Sequence, residues 1–278
     1  MPGQKPVRIR TLHVHNQKVD TVYAGQRVAV NIQGVDLLAV KRGHSLATPG
    51  YLKPSFRVDA KLRLLESSTK SIKNWNRIRF HLGTDETFGR VVLLDRDQLK
   101  PGEEGYVQIV FEKPVVGHKG DPFVIRYYSP VTTIGGGTII DANAPKQKRF
   151  REEVLQDLAI KEEGSTYDLA LHELTADPER IISIKELGKK IGKPEDKLKE
   201  DIQQLLDDEQ IVEMRTDHYI SNHGLDIIKE KITSKLAEYH QKYRLREGDP
   251  KEDMRSRVFA QLDSKTFNLL LKYFEKQN

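Results

Sequence analysis

Cysteine is absent from the whole chain of 278 residues. That absence excludes disulfides and thiolate metal sites, and it fits a cytosolic protein. Long apolar runs are missing too. Nothing approaches the ~18 consecutive apolar residues of a membrane-spanning helix, so no membrane partner is expected. The opening MPGQKPVRIR has no apolar signal region. Catalytic signatures are also lacking: there is no GxxxxGK followed by Ser or Thr, no GxSxG and no HExxH. Without a phosphate loop, a nucleophile elbow or a zincin motif, this chain is not expected to be an enzyme by itself.

What is present suits a globular chain, with 31% charged and 37% hydrophobic residues, long enough for one large domain or two to three small ones. The net charge of +5 is unevenly spread. Residues 1–143 hold 21 Lys/Arg against 13 Asp/Glu, and the remainder holds 25 against 28. A basic first half suits a polyanionic partner such as nucleic acid.

Up to about Asp141 the apolar period is two. Phe56, Val58, Ala60, Leu62 and Leu64 alternate with Arg57, Asp59, Lys61 and Arg63. The same alternation runs through Ile78, Phe80 and Leu82 and through Val107, Ile109 and Phe111. Short strands between Pro-Gly and Gly-rich turns predict β-barrels or sandwiches, with PGYLKP at 49–54 as a boundary. Three consecutive glycines, Gly135–Gly137, pose a choice between close strand packing and a phosphate cradle. A cradle needs a helix N-terminus after it, whereas Thr138, Ile139 and Ile140 follow here. Those β-branched residues continue a strand, so the glycines are expected to serve packing.

Past Asp141 the period becomes helical. ANAPKQKR forms a basic connector, Ser183 to Glu186 resembles a capping box, and Leu198, Ile202, Leu205 and Leu206 share a helix face. IVEM and HYIS, split by Thr216-Asp217, predict a hairpin. Helix, short strand, two helices and a hairpin form a winged helix over 150–222. A second copy starts near Gly224, with Leu225, Ile228, Ile232, Leu236, Tyr239 and Tyr243 on a long helix, then the polar REGDPKED, VFAQL and a helix from Ser264.

The block AGQRVAVNIQGVDLLAVKRG at 24–43 resembles the second barrel of translational GTPases such as elongation factor Tu. HLGTDE at 81–86 and PVTTIGGG at 130–137, followed by winged helices, are similar to bacterial selenocysteine-specific elongation factors. The resemblance implies a β plus α multidomain chain of elongation factor Tu-like β-barrels and winged-helix modules. Residues 1–50 would be part of domain two, 51–143 domain three, 144–222 a first winged helix and 223–278 a second, truncated one. It also implies a cytoplasmic, monomeric translation factor whose partners are selenocysteinyl-tRNA and the ribosome. GTP and Mg would belong to a nucleotide domain, and the mRNA hairpin to distal winged helices. Neither is expected in this chain, which would have no cofactor of its own.

By the same resemblance Arg27 occupies the aminoacyl pocket, where a planar, permanently charged guanidinium suits an ionised selenol. Arg77, Arg79 and His81 alternate on one strand, as phosphate-binding rows do. The resemblance directs them, with Arg126, Tyr127, Tyr128 and Ser129, at the T-stem of tRNA. His13 and His15 have no third ligand, so no metal is expected. Lys189, Lys190, Lys193, Lys197 and Lys199 are interleaved with acids at 195, 196, 200 and 201, the pattern of a solvated face. The alternative is a winged-helix DNA-binding regulator with a β-barrel ligand or partner domain. That function asks for positive charge in the winged half, and the charge split runs the other way.

Overall fold

In the computed structural model the described residues are 5–246 and 248–277, the side chain of Leu37 excepted. The outer ends of the first and last assigned domains, 1–4 and Asn278, lie outside them. The chain divides into two units, Met1–Glu162 and Glu163–Asn278.

The first unit opens with strands β1 (Arg8–Val14), β2 (Gln17–Val19) and β3 (Ala29–Gln33), paired antiparallel in the order β2-β1-β3. None of the described residues before Val58 is buried, so this small sheet has no core of its own.

The next eight strands are β4 (Ser55–Leu64), β5 (Ile72–Lys73), β6 (Asn76–Leu82), β7 (Asp85–Leu93), β8 (Gln98–Leu99), β9 (Glu104–Val115), β10 (Pro122–Tyr127) and β11 (Thr133–Asp141). Six of them close a barrel in the order β10-β11-β4-β9-β7-β6, with β10 pairing back onto β6. The alternation seen in sequence is the inward face: Val58, Ala60, Leu62, Leu64, Ile78, Phe80, Val107 and Ile109 are buried in one core. Phe56 departs from it and is exposed. The pairing of β4 and β9 shifts register between Ser55 and Arg57, so the inward phase begins at Val58.

The glycine triplet lies in β11 between β4 and β10, with Gly137 opposite both Leu62 and Phe123. A Cβ on Gly135 would lie 2.5 Å from the Arg63 carbonyl oxygen, and one on Gly136 2.6 Å from that of Phe123. One on Gly137 would collide with the Lys61 carbonyl. Backbone approach, not a phosphate, accounts for the run.

Helix α1 (Glu152–Glu163), assigned from sequence to the first winged helix, belongs to the barrel instead. Its Val154, Leu155 and Leu158 pack on Leu94 and Ile140. Glu162 at its end accepts from Lys61 Nζ and, at 2.8 Å, from the Tyr106 hydroxyl. The apolar stripe of α1 and its acidic end fit the outer barrel wall, which moves the division from 143 to 162.

A buried carboxylate fastens the connector before α1. Asp59 accepts from Gln108 Nε2 at 2.7 Å and from Gln147 Nε2 at 2.8 Å. Gln108 also donates to the Pro145 carbonyl at 2.8 Å. Burial pushes the Asp59 carboxyl up from 3.8 to about 6, against the two amide donors. A raised folded value means that its stabilising contribution is complete below 3.8 and lost as pH rises through about 6. Two units correspond to about 3 kcal/mol. Urea melts of the wild type and Asp59→Asn should therefore diverge with pH across that window, the wild type losing ground as pH rises. Parallel pH profiles would assign the titration to another group.

The second unit carries the expected winged helix: α2 (Thr166–Ala176), β12 (Ile182–Ser183), α3 (Ile184–Ile191), α4 (Glu195–Asp207), β13 (Ile211–Arg215) and β14 (His218–Ser221). Leu169, Leu174, Leu187, Leu198, Ile202 and Leu205 form its core. Ser183 caps α3 by accepting from Glu186 N at 3.2 Å, but only half of the expected box forms. The Glu186 carboxylate turns to Arg180, 2.7 Å away. The complete box is Ser165 with Asp168 at the start of α2.

Helices α5 (Asn222–Lys242), α6 (Lys251–Val258) and α7 (Ser264–Gln277) follow. Ile228, Ile232, Met254, Phe259, Phe267 and Leu270 share a core with Ile220 of β14. The polar stretch ends in helix from Lys251 onwards, which periodicity does not reveal because Met254 is the one buried side chain of α6. Pro250 opens that helix, Glu252 and Asp253 lie in its first turn, and Arg255 and Arg257 in its last. These charges complement the helix dipole.

Candidate nucleic-acid interface

The outer faces of β6, β7 and β10 carry Arg77, Arg79, His81 and Arg126 of the residues singled out from sequence. A two-residue turn at Gly83-Thr84 sets the β6–β7 register, placing Arg77 opposite Arg90, Arg79 opposite Phe88 and His81 opposite Glu86. On the other side β10 places Arg126 opposite Arg79. Alternation then puts four arginines and Phe88 on one surface, with Tyr128 joining them from the segment after β10.

The arginines are held by rings and carboxylates. Arg77 makes a two-pronged pair with Glu112 at 2.8 and 2.9 Å and lies 4.6 Å from the Tyr128 ring centroid and 5.0 Å from that of Phe88. Arg79 bonds Glu86 at 2.6 Å and lies 5.0 Å from the Phe88 ring. Tyr128, 48% exposed, packs against Phe88 at 5.5 Å. Arg90 donates to the Trp75 carbonyl oxygen at 3.3 Å and lies 5.8 Å from its ring. Neither Arg90 nor Arg126 has a carboxylate partner among the described residues, and Arg126 Nε is buried without a hydrogen bond. Uncompensated charge on this face therefore comes from these two, while Arg77 and Arg79 are pre-oriented by pairs of modest energy.

His81 is less readily charged than an ordinary histidine. Burial lowers its pKa, and Arg126, Arg79 and Arg42 lower it further against the pull of Glu86. Tyr127 does not share the surface. Its ring packs against the barrel core and its hydroxyl donates to the Lys70 carbonyl at 2.9 Å, because strand alternation turns it inward next to outward Arg126. Ser129 is exposed and joined to Pro130 by a cis peptide. Arg27 stands apart, exposed in the segment before β3, with Val28, Val30 and Ile32 part-buried beside it. The structure thus unites Arg77, Arg79, Arg126 and Tyr128, and adds Phe88, Arg90 and Trp75. Sequence reasoning missed the last three, although the Gly83-Thr84 turn already paired Arg77 with Arg90. Alternating cations and aromatic rings can grip phosphates while stacking on ribose or base.

The chain is similar to known proteins over most of its length. Residues 58–146 match the family "Selenocysteine-specific elongation factor, beta-barrel domain", and residues 233–278 match "Elongation factor SelB, winged helix". The selenocysteine-specific elongation factor of Desulfomicrobium baculatum is 29% identical over 89% of this chain and 39% of its own length. That of Escherichia coli is 31% identical over 56% of this chain and 24% of its own. Elongation factor Tu 2 of Streptomyces avermitilis is 29% identical over 46% of this chain and 33% of its own. The fold is that of the crystal structure of bacterial selenocysteine-specific elongation factor EF-Sec, with a TM-score of 0.69 and 19% identity over 96% of this chain and 40% of that one. The chain spans about 40% or less of the length of these relatives. In its barrel and its C-terminal residues the chain is similar to selenocysteine-specific elongation factors.

Proposed function

We propose that this chain supplies a tRNA-binding barrel face, and a spacer of winged helices, to selenocysteine-specific elongation. The carrying observation is the surface of Arg77, Arg79, Arg90 and Arg126 with Phe88 and Tyr128 on three adjoining strands. Their ligand would be the phosphate-ribose backbone of selenocysteinyl-tRNA, and Arg27 would meet the aminoacyl end. GTP binding and hydrolysis would fall to a nucleotide domain, the mRNA hairpin to further winged helices, and the ribosome and cytoplasm would be the setting. Helix α4, the reading helix of a DNA-binding winged helix, carries Glu195, Asp196, Glu200, Asp201 and Asp207 against Lys197 and Lys199. That acidic balance suits a spacer and opposes a DNA-reading regulator.

Gel retention of tRNA and of duplex DNA, side by side, tests the assignment. tRNA is expected to be retained preferentially, weakening about 40- to 150-fold as salt rises from about 50 to about 200 mM, as neutralising three or four phosphates requires. A folded chain that ignores tRNA at low salt, or that holds duplex DNA equally well, would refute it.

A further inference from the structure

Trp75 is the only tryptophan of the chain, and it is 51% exposed. Its φ is 68°, in the left-handed region. Glycine and asparagine tolerate that backbone, whereas a bulky aromatic side chain there is an outlier that points to function. The turn around it is tightly held. Trp75 N–H donates to the Val91 carbonyl at 2.7 Å, the Asn74 side chain accepts from Leu93 N at 3.2 Å, and that of Asn76 from Lys73 N at 2.6 Å. Among the described residues, the indole ring takes part in none of the hydrophobic cores of the barrel unit. The fold accounts for the turn but not for the ring.

The position of that ring is informative. Trp75 leads directly into β6, and its carbonyl and ring are met by Arg90, which sits opposite Arg77. The strip of cations and rings from Arg79 through Phe88, Tyr128 and Arg77 therefore continues to Arg90 and Trp75. We propose that Trp75 and Arg90 form a stacking site for an unpaired nucleobase of the RNA on this face, an inference that rests on the RNA-binding role proposed above. Bases inside a duplex already stack on one another, so an exposed indole recognises one that is splayed out. Arg90, with no carboxylate partner among the described residues, would neutralise the adjoining phosphate. An exposed Trp beside Arg also suits a protein interface, but the uncompensated arginines along the strip favour a polyanion.

A lone tryptophan makes the site its own reporter. Titrating the full chain with tRNA should quench its fluorescence at the midpoint seen by gel retention, while a fully paired RNA duplex should bind without quenching. Trp75→Gly relieves the left-handed backbone, so its melting temperature should not fall, yet its tRNA affinity should drop about 5- to 150-fold, the range of base stacking on an aromatic side chain. Trp75→Phe should recover most of that loss. Unchanged affinity in Trp75→Gly, with Arg77→Glu/Arg79→Glu still defective, would overturn the stacking site and leave the RNA-binding face standing. Equal quenching by the paired duplex would also overturn it. Absence of tRNA binding by the wild type at low salt would remove the face and this site together.

Discussion

Arg77→Glu combined with Arg79→Glu is expected to reduce tRNA affinity at least about 100-fold, because each lost charged contact is worth roughly 1.5–3 kcal/mol. The reversal reaches beyond the two side chains. Glu112 and Glu86, now neutralised by Arg77 and Arg79, would stand beside new carboxylates on the face proposed to meet phosphates. The fold should tolerate the change, since exposed ion pairs contribute only about 0–1 kcal/mol each and the barrel core lies on the other side of the strand. A fourfold variant, Arg77→Glu/Glu112→Arg with Arg79→Glu/Glu86→Arg, restores both pairs and the net charge while moving the guanidiniums to β7 and β9. If binding depends on where the arginines sit, it should remain weak. Wild-type affinity in the fourfold variant would reduce the face to a diffuse charge effect, and wild-type affinity in the double variant would exclude these strands from the contact.

Gly137→Ala is expected to destroy the barrel. The added Cβ would collide with the Lys61 carbonyl oxygen, and Phe123 lies 2.9 Å away on the other side. Neither neighbour can yield cheaply: Lys61 pairs with Thr138 in the β4–β11 ladder, and Phe123 stacks on Phe80 at 4.9 Å in the core. Separating β11 from β4 breaks ladder bonds and opens the closed sheet, so a loss above about 4 kcal/mol is expected, in the range kept for severe core damage. Calorimetry should show the barrel transition shifted down or gone while the helical signal of residues 163–278 persists. A variant melting within about 1 kcal/mol of wild type would refute the close approach as the reason for glycine there. Gly120→Ala is the contrasting control. It meets nothing within 4 Å, although its φ of 89° leaves a local conformational penalty.

Both substitutions act through features that sequence and structure expose unequally. Period-two alternation at 58–64, 78–82 and 107–111 sufficed for the strands and their inward faces. Period 3.6 at Leu198, Ile202 and Leu205 sufficed for α4, and the Thr216-Asp217 break for the β13–β14 hairpin. The glycine triplet could be assigned to packing because the residues after it continue a strand. All of these rest on neighbours in the chain, whose spacing is a direct image of backbone periodicity.

The site was half legible. Arg77 and Arg79 were visible as alternate positions of one strand, and Arg126 and Tyr128 only through the resemblance, since the place of Arg126 on β10 opposite Arg79 is set by strand pairing. Tyr127 was misplaced because its hydroxyl bond to Lys70 spans 57 positions. Phe88, Arg90 and Trp75 join the arginines only through the β6–β7 register. The attachment of α1 to the barrel, the burial of Asp59 under Gln147, and helix α6 with its single buried Met254 likewise depend on segments far apart in sequence. By itself the sequence determined elements, strand and helix faces and the resemblance to elongation factors, since periodicity and motif order are local properties. Only the tertiary structure decided which charges meet, which rings stay exposed and where the units divide, because strand register and packing are set between residues that the chain separates.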